Sequence, residues 1–258
     1  MAGSAELALQ DVSLRFGGVQ AIRDINLTVP PGGITAIIGP NGAGKTSVLN
    51  VVSRFYRPQE GWVTYGNTNL LTLRPYQVIH HGIARSFQNV ALFKELSVFD
   101  NLLVGADHLS KVTLVENIFR LPRSRTHERN ARRRAERVLE FLDIGHLRNR
   151  VAGELSFGDQ KLVDMGRALM ADPTFLMLDE PAAGLQESQK VWLGRVIPGI
   201  PDEYGATVLL IDHDMGLVLG VSSNVIVMDH GAKIAEGPPD EVRNDPRVIA
   251  AYLGQEET

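Results

Sequence analysis

An α/β fold is what this 258-residue sequence predicts, and three stretches predict it. Ile34, Ala36, Ile37 and Ile38 form a short apolar run that reads as a buried strand, and Ser47 to Val52 reads as a helix. Between them, Gly39-Pro40-Asn41-Gly42-Ala43-Gly44-Lys45-Thr46 fits G-x-x-x-x-G-K-[ST], the P-loop, in the strand, loop, helix order that such a loop requires. Thr174 to Leu178 and Ala206 to Ile211 are further apolar runs, ending in Asp179-Glu180 and in Asp212-His213-Asp214. Strands buried on both faces belong to open α/β sheets, which bind ligands beyond their carboxyl ends.

The P-loop explains its own composition. Gly42 and Gly44 let successive backbone N–H groups turn toward one anion. The helix that starts near Gly44 adds the positive end of its dipole. Lys45 can reach the β- and γ-phosphates, and the Thr46 hydroxyl can ligate Mg²⁺. Gly39, Asn41, Gly42, Ala43, Gly44, Lys45, Thr46 and Ser47 are therefore the candidate nucleotide-binding residues. The loop by itself leaves hydrolysis, kinase transfer and a GTP switch open.

Composition narrows the classes. At 44% hydrophobic and 22% charged residues the chain is of ordinary globular type, long enough for one large domain or two small ones. Without cysteine it has no disulfide and no thiolate zinc site, and its seven histidines form no HExxH pattern. A net charge of −4 gives no global field for nucleic acid, so no nucleic-acid partner is expected. Met1 to Gln10 lacks a basic region followed by an apolar run, so no signal peptide is expected. No stretch approaches the ~18 continuous apolar residues of a membrane span.

In order along the chain, Leu7–Phe16 and Ile22–Val29 read as strands of a small antiparallel sheet that Gly61–Tyr65 joins. Phe16, an aromatic at the edge of that sheet, reads equally as an adenine platform and as a core residue before a turn. Pro75–His81 is a short helix, and Ile83–Phe87 a strand ending at Gln88. Ser97-Val98-Phe99-Asp100 opens a helix through Ala106. From Thr126 the periodicity is helical, with Ala131, Ala135, Val138 and Leu142 on one face. Arg129, Arg132, Arg133 and Arg137 lie opposite, a face read as solvated, with pairs such as Glu128–Arg132. Leu155-Ser156-Phe157-Gly158-Asp159-Gln160 leads into a helix buried through Leu162, Met165 and Leu169. Gln189–Ile197 is a helix. Asn224–Met228 and Lys233–Glu236 are strands about the His230-Gly231 turn, and short helices near Asp240–Arg243 and Pro246–Tyr252 close the chain.

Gln88, Asp179, Glu180 and His213 thus converge as strand ends beside the P-loop. Asp179 can hold Mg²⁺, Glu180 can accept a proton from the attacking water or orient it, Gln88 can sense Mg²⁺ and the γ-phosphate, and His213 can hydrogen-bond that phosphate. Gly39–Thr46, Gln88, Leu155–Gln160, Phe175–Glu180 and His213, in this order and spacing, resemble the nucleotide-binding subunit of an ABC transporter across essentially the whole chain. The Leu-Ser-x-Gly element discriminates, because P-loop kinases and GTPases lack it.

The resemblance implies a single ATPase domain, 1–258, with a RecA-like P-loop NTPase core. Residues 1–88 and 165–237 would form that core with its antiparallel β subdomain. Residues 89–164 would form an inserted α-helical subdomain, and 238–258 a C-terminal helical extension. It implies ATP and Mg²⁺, with Thr46, Gln88 and Asp179 around the metal. It implies catalysis through Glu180, His213, Gln88 and Lys45, and head-to-tail pairing with a second ATPase subunit, whose nucleotide Ser156 and Gly158 would face. It also implies two transmembrane permease subunits, a solute-binding protein at one remove, and a peripheral place on the cytoplasmic side of the inner membrane. Departures from the commonest pattern are Phe157 and Asp159 where Gly and Gln are usual, Gln186 in place of an Asp, and Phe16 in place of Tyr.

Leu-Ser-Phe-Gly-Asp-Gln, Glu-Pro-Ala-Ala-Gly-Leu, Arg-Phe-Gly-Gly-Val-Gln-Ala, the Arg-rich insertion at Phe119–Arg134 and the tail Gly237-Pro238-Pro239-Asp240-Glu241-Val242 resemble branched-chain amino-acid importer ATPases of the LivG type. The expected function is ATP hydrolysis energising uptake of branched-chain or related amino acids. Alternatives are the ATPase of a lipopolysaccharide exporter, whose helical subdomain is compact where this chain has its insertion, and a non-transport ABC ATPase acting on DNA or ribosomes. The latter usually carries two motif sets or a long coiled coil.

Overall fold

Side chains that are apolar on both faces of a strand place it between two layers, and the central sheet here is built from such strands. The computed structural model describes residues 5–86, 90–109 and 122–253, with the backbone alone for 122–125 and 253. The strands are β1 (Leu7–Phe16), β2 (Val19–Val29), β3 (Ile34–Ile38), β4 (Glu60–Tyr65), β5 (Thr68–Asn69), β6 (Ile83–Arg85), β7 (Phe175–Asp179), β8 (Thr207–Ile211), β9 (Asn224–Asp229) and β10 (Ala232–Gly237). Six of them form one sheet in the order β10-β9-β3-β8-β7-β6, parallel except for β10 against β9. The other four form an antiparallel sheet in the order β2-β1-β4-β5.

Alternate residues of the central strands feed two cores. Ala36, Leu176, Leu178, Val208, Leu210, Val225 and Val227 look toward one, shared with the helices Val98–Gly105, Pro122–Phe141 and Phe157–Leu169. Ile37, Phe175, Met177, Leu209, Ile211, Ile226 and Met228 look toward the other, shared with the antiparallel sheet and the helix Lys45–Val52. Burying each such side chain contributes about 1.5–3 kcal/mol relative to leaving it in water. The helices Val98–Gly105, Pro122–Phe141 and Phe157–Leu169 cross at Gly166. A Cβ there would come within 2.8 Å of Leu102 and 3.1 Å of both Leu142 and Val138. Only the absence of a side chain permits this approach.

The topology places the site. β8, β7 and β6 lie on one side of β3, and β9 and β10 on the other. The loop after β3 therefore leaves the sheet where its strand order reverses, the usual ligand position in open α/β sheets. The carboxyl end of β8 comes next to it, and that of β7 one strand further.

Most elements fall where their periodicity puts them. Ala135, Val138 and Leu142 are buried, and Glu128 pairs with Arg132 at 2.9 Å on the exposed side. Such a surface pair contributes a few tenths of a kcal/mol. Ser97 caps its helix by accepting the Asp100 N–H. Three readings change. Pro75–His81 is a 3₁₀ helix. The helix read from Gln189 begins at Glu187, capped by Gln186, and a separate helix, Gly199–Tyr204, follows it. Met215–Val221, MGLVLGV in sequence, is a helix that its glycines conceal. Strand β6 is described to Arg85; Phe87 and Gln88 lie outside the described residues.

Candidate nucleotide-binding and hydrolysis site

Backbone geometry holds the P-loop in place before any ligand arrives. Gly39 has φ 149° and Gly44 φ 98°. A Cβ at Gly39 would lie 2.0 Å from the Met228 carbonyl oxygen, and one at Gly44 2.3 Å from that of Ala21. The loop is thus pressed between β9 and β2, and no other residue fits at either position. Gly44 is also the N-cap of the helix Lys45–Val52, and Thr46 and Ser47 occupy its first turn, half-buried. Lys45 is 5% exposed and donates to the carbonyls of Gly39 at 2.6 Å and Pro40 at 2.8 Å. Burial holds its pKa below the ordinary lysine value, against the pull of Glu180 and Asp179. A buried cation aimed along its own loop suits a ligand that brings negative charge.

Asp179 ends β7 in a network of buried groups. Its Oδ2 accepts from Arg85 Nη2 at 2.6 Å, and Arg85 Nη1 donates to Asn50 Oδ1, on the P-loop helix, at 2.8 Å. Burial raises the Asp179 pKa, opposed by the hydrogen bond and charge of Arg85. Its other oxygen, Oδ1, is buried with no hydrogen-bond partner among the described residues. An orphaned carboxylate oxygen at this strand end fits a divalent cation, and oxygen donors such as Thr46 and Asp179 are the type that Mg²⁺ takes.

Glu180 follows in a left-handed conformation, φ 51°, which costs a non-glycine residue on the order of 1 kcal/mol. Contacts to other elements hold it there. Its N–H donates to the Ile211 carbonyl at 2.7 Å, its own carbonyl accepts from Lys161 Nζ at 2.5 Å, and its Oε1 lies 2.8 Å from His213 Nε2. The Glu180 side chain is 12% exposed and that of His213 45%, so the pair sits at the surface of the site. Asp212, 3% exposed, locks the two loops together: Oδ2 accepts the Ala182 N–H, and Oδ1 the N–H groups of His213 and Asp214. Asp214 then caps the helix Met215–Val221. The Leu217 N–H, followed by Lys190, holds its carboxyl below the usual range.

Phe16 is 45% exposed and meets Tyr56 edge-on at 4.8 Å, so it is not a core residue. Nor is it on an edge strand, because β1 lies between β2 and β4; it ends an inner strand at the turn into β2. Ser156 caps the helix Phe157–Leu169, accepting the Asp159 N–H at 3.2 Å and donating to the Asp159 carboxylate at 2.8 Å. A Cβ on Gly158 would lie 2.2 Å from Gln189 Nε2, and one on Gly184 2.8 Å from the Phe157 ring. This helix start is therefore fitted against the segment that follows the acidic pair. Gln186, where an Asp is usual, donates its N–H to the Gln189 side-chain oxygen at 3.1 Å, and its own carbonyl accepts the Gln189 N–H at 2.9 Å. Gln88 lies outside the described residues.

Sequence reasoning passed over Arg85, Asn50, Lys161 and Asp212. Two of them left a signal: Arg85 is a charge within an apolar strand, and Lys161 sits one position from Leu162 on the buried face of its helix. Burial holds the Lys161 pKa down, opposed by Asp212, Glu180, Asp164 and Asp179. Replacing Lys161 by Met takes the charged donor from the Glu180 carbonyl, at a strained residue, and leaves it the longer Ala183 N–H bond at 3.2 Å. A charge-assisted hydrogen bond contributes about 1.5–3 kcal/mol, so kcat for ATP is expected to fall about tenfold or more with KM little changed. Steady-state kinetics check this, and an unchanged kcat would remove Lys161 from the site.

The Leu-Ser-x-Gly helix start separates this arrangement from P-loop kinases and GTPases, and with it the protein is an ATP-binding cassette, an ATPase. The chain belongs to the ABC transporter family, whose model, described as "ABC transporter", matches residues 22–183. A second model, described as "Branched-chain amino acid ATP-binding cassette transporter", matches residues 232–258. The chain is 39% identical over 249 residues to the high-affinity branched-chain amino acid transport ATP-binding protein BraF of Pseudomonas aeruginosa, covering 96% of this chain and 98% of that one. LivG of Escherichia coli K12, of the same description, gives the same identity and coverage. A solved nucleotide-free ATP-binding cassette from an ABC transporter superposes with TM-score 0.83 at 33% identity, covering 97% of this chain and 100% of that one. The ADP conformation of such a cassette also gives TM-score 0.83 at 33% identity, with 97% and 99% covered.

Proposed function

We propose that this chain is the energising ATPase of an importer for branched-chain or related amino acids. The observation that carries the reading is the Glu180–His213 contact at the ends of adjacent strands, beside a preformed P-loop. Backbone N–H groups of Asn41 to Ser47 cradle the phosphates, Lys45 bridges the β- and γ-phosphates, and Phe16 with Tyr56 offers an aromatic face to adenine. Glu180 accepts a proton from the attacking water, and His213 holds both that carboxylate and the γ-phosphate. Thr46 and Asp179, with Gln88 as the sequence-derived third candidate, would hold Mg²⁺, which when bound would supply positive charge against the phosphates. Ser156 and Gly158 face the nucleotide of a second ATPase subunit.

Among the described residues no helix is long and apolar enough to cross a membrane. Coupling therefore falls to two permease subunits, with the ATPase peripheral on the cytoplasmic side of the inner membrane and a solute-binding protein delivering the substrate. A cleft of about 470 Å³, lined by Pro75, Ile79, Arg85, Val104, His108 and Ala171 among others, is the surface this reading assigns to the permease. Phe55, Tyr76 and Val104 expose apolar surface near it, and Arg85 in its wall is bonded to Asp179. A partner seated there would move a residue that touches the hydrolytic site.

Affinity purification of this chain from detergent-solubilised native membranes tests the proposal. Two polytopic permeases and a second ATPase are the expected companions, and their binding protein is then screened against amino acids. Lipopolysaccharide-export subunits, or ribosomes and DNA without membrane proteins, would overturn it.

A further inference from the structure

The helix Glu187–Val196 follows the acidic pair and meets two parts of the site from adjacent positions. Gln189 is the residue against which Gly158 is fitted. Its neighbour Lys190 brings Nζ to 2.9 Å from Asp214 Oδ2, with the two side chains 29% and 26% exposed. Glu187, one turn back, is the weaker partner of that amine, since its carboxylate lies 3.5 Å away and is 83% exposed.

Asp214 spreads its groups over several elements. Its Oδ1 accepts the Leu217 N–H at 3.0 Å and so starts the helix Met215–Val221, which leaves Oδ2 for Lys190. Its own N–H donates to Asp212 Oδ1 at 2.9 Å, the oxygen that also takes the His213 N–H at 2.7 Å. A displacement of Asp214 is therefore passed to the backbone of His213, whose ring meets Glu180. Across the two helices, a cleft of about 240 Å³ is lined in part by Gly194, Gly216 and Gly220, which contribute no side chain to fill it. Among the described residues the Lys190–Asp214 pair is the ionic link over that gap.

We infer that Lys190 is a positioning residue for ATP hydrolysis: its ion pair with Asp214 anchors the segment that carries His213 to the helix that follows the acidic pair. The inference rests on the site reading above, and its test separates the two.

Full-length wild type, Lys190→Met, Asp214→Asn and the variant carrying both substitutions are compared for kcat and KM with MgATP, and for Tm. Methionine keeps the reach of the side chain and removes its charge. Asparagine keeps an oxygen for the Leu217 N–H, since it caps helices about as well as aspartate, and removes the charge that Lys190 meets. Each single variant is expected to lower kcat about twofold to fivefold, the scale of one partly exposed ion pair, with KM little changed. The double variant should be no slower than the slower single one, because both substitutions remove the same interaction. A wild-type kcat in Lys190→Met would overturn the inference. So would losses that multiply in the double variant, or variants that differ from wild type only in Tm. A wild-type chain that fails to hydrolyse MgATP would instead overturn the underlying site reading.

Discussion

Glu180→Gln is expected to bind MgATP within a few-fold of wild type while kcat falls by about 10²–10⁴, the usual contribution of a positioned general base. The substitution keeps shape and removes one property. Glutamine retains an oxygen and gains an N–H, so either tautomer of His213 can still be met at the 2.8 Å contact. The Lys161 and Ile211 contacts are made through the Glu180 main chain and survive unchanged. What is lost is the ability to take a proton from water. Because nucleotide stays bound and is not consumed, two such chains are expected to remain joined by ATP. Phosphate release under single-turnover conditions and size-exclusion chromatography with and without MgATP check both parts. Turnover close to the wild-type rate would return the role of base to another group.

This behaviour depends on backbone that the sequence only half reveals. The strand ends themselves were legible, because an apolar run that stops at Asp179-Glu180 or at Asp212-His213-Asp214 announces a buried strand with a polar mouth. The left-handed turn at Glu180 was not. Its φ of 51° is imposed by partners on three other elements: Ile211 at the end of β8, Lys161 on the Phe157–Leu169 helix and His213 in the loop after β8. No local preference of glutamate encodes it. Asp212 illustrates the same limit. Flanking a histidine with two aspartates suits a solvated loop, yet Asp212 is buried, and two of its three backbone partners are its immediate successors while the third, Ala182, is thirty residues away.

Helices were read well where apolar spacing was clean and missed where glycine diluted it. Leu162, Met165 and Leu169 gave the Phe157–Leu169 helix at once, whereas Met215–Val221 carries two glycines in seven residues and stands only because Asp214 caps it and Leu217 and Val218 are buried. Glycine disfavours a helix by about 1 kcal/mol per residue, and tertiary packing outweighs that here. The reverse holds at Gly166, whose glycine reads as a weakness of the helix and proves to be the crossing point of three. For Phe16 the sequence left two readings open; its exposure beside Tyr56 removes the core alternative.

Lys45→Ala carries the second large effect, with the opposite kinetic signature. MgATP affinity is expected to fall about 100-fold or more, since two charge-assisted hydrogen bonds together contribute ~3 kcal/mol or more. The structure explains why the loss should fall on binding and not on folding. The Lys45 amine is buried and, among the described residues, donates to two carbonyls of its own loop. Burial depresses its pKa. A lysine whose folded pKa lies below its unfolded value binds its proton less readily when folded. The protein therefore carries a stability penalty below the folded pKa, which fades as pH rises through the unfolded value. Alanine removes that penalty along with the amine, so Tm at neutral pH is expected to stay at or above the wild-type value although ATP no longer binds well. Calorimetric titration with MgATP and thermal unfolding of the same samples separate the two quantities. Wild-type affinity in the variant would take Lys45 out of the phosphate site. A large drop in Tm would mean that the two carbonyl contacts stabilise the loop more than burying the charge costs.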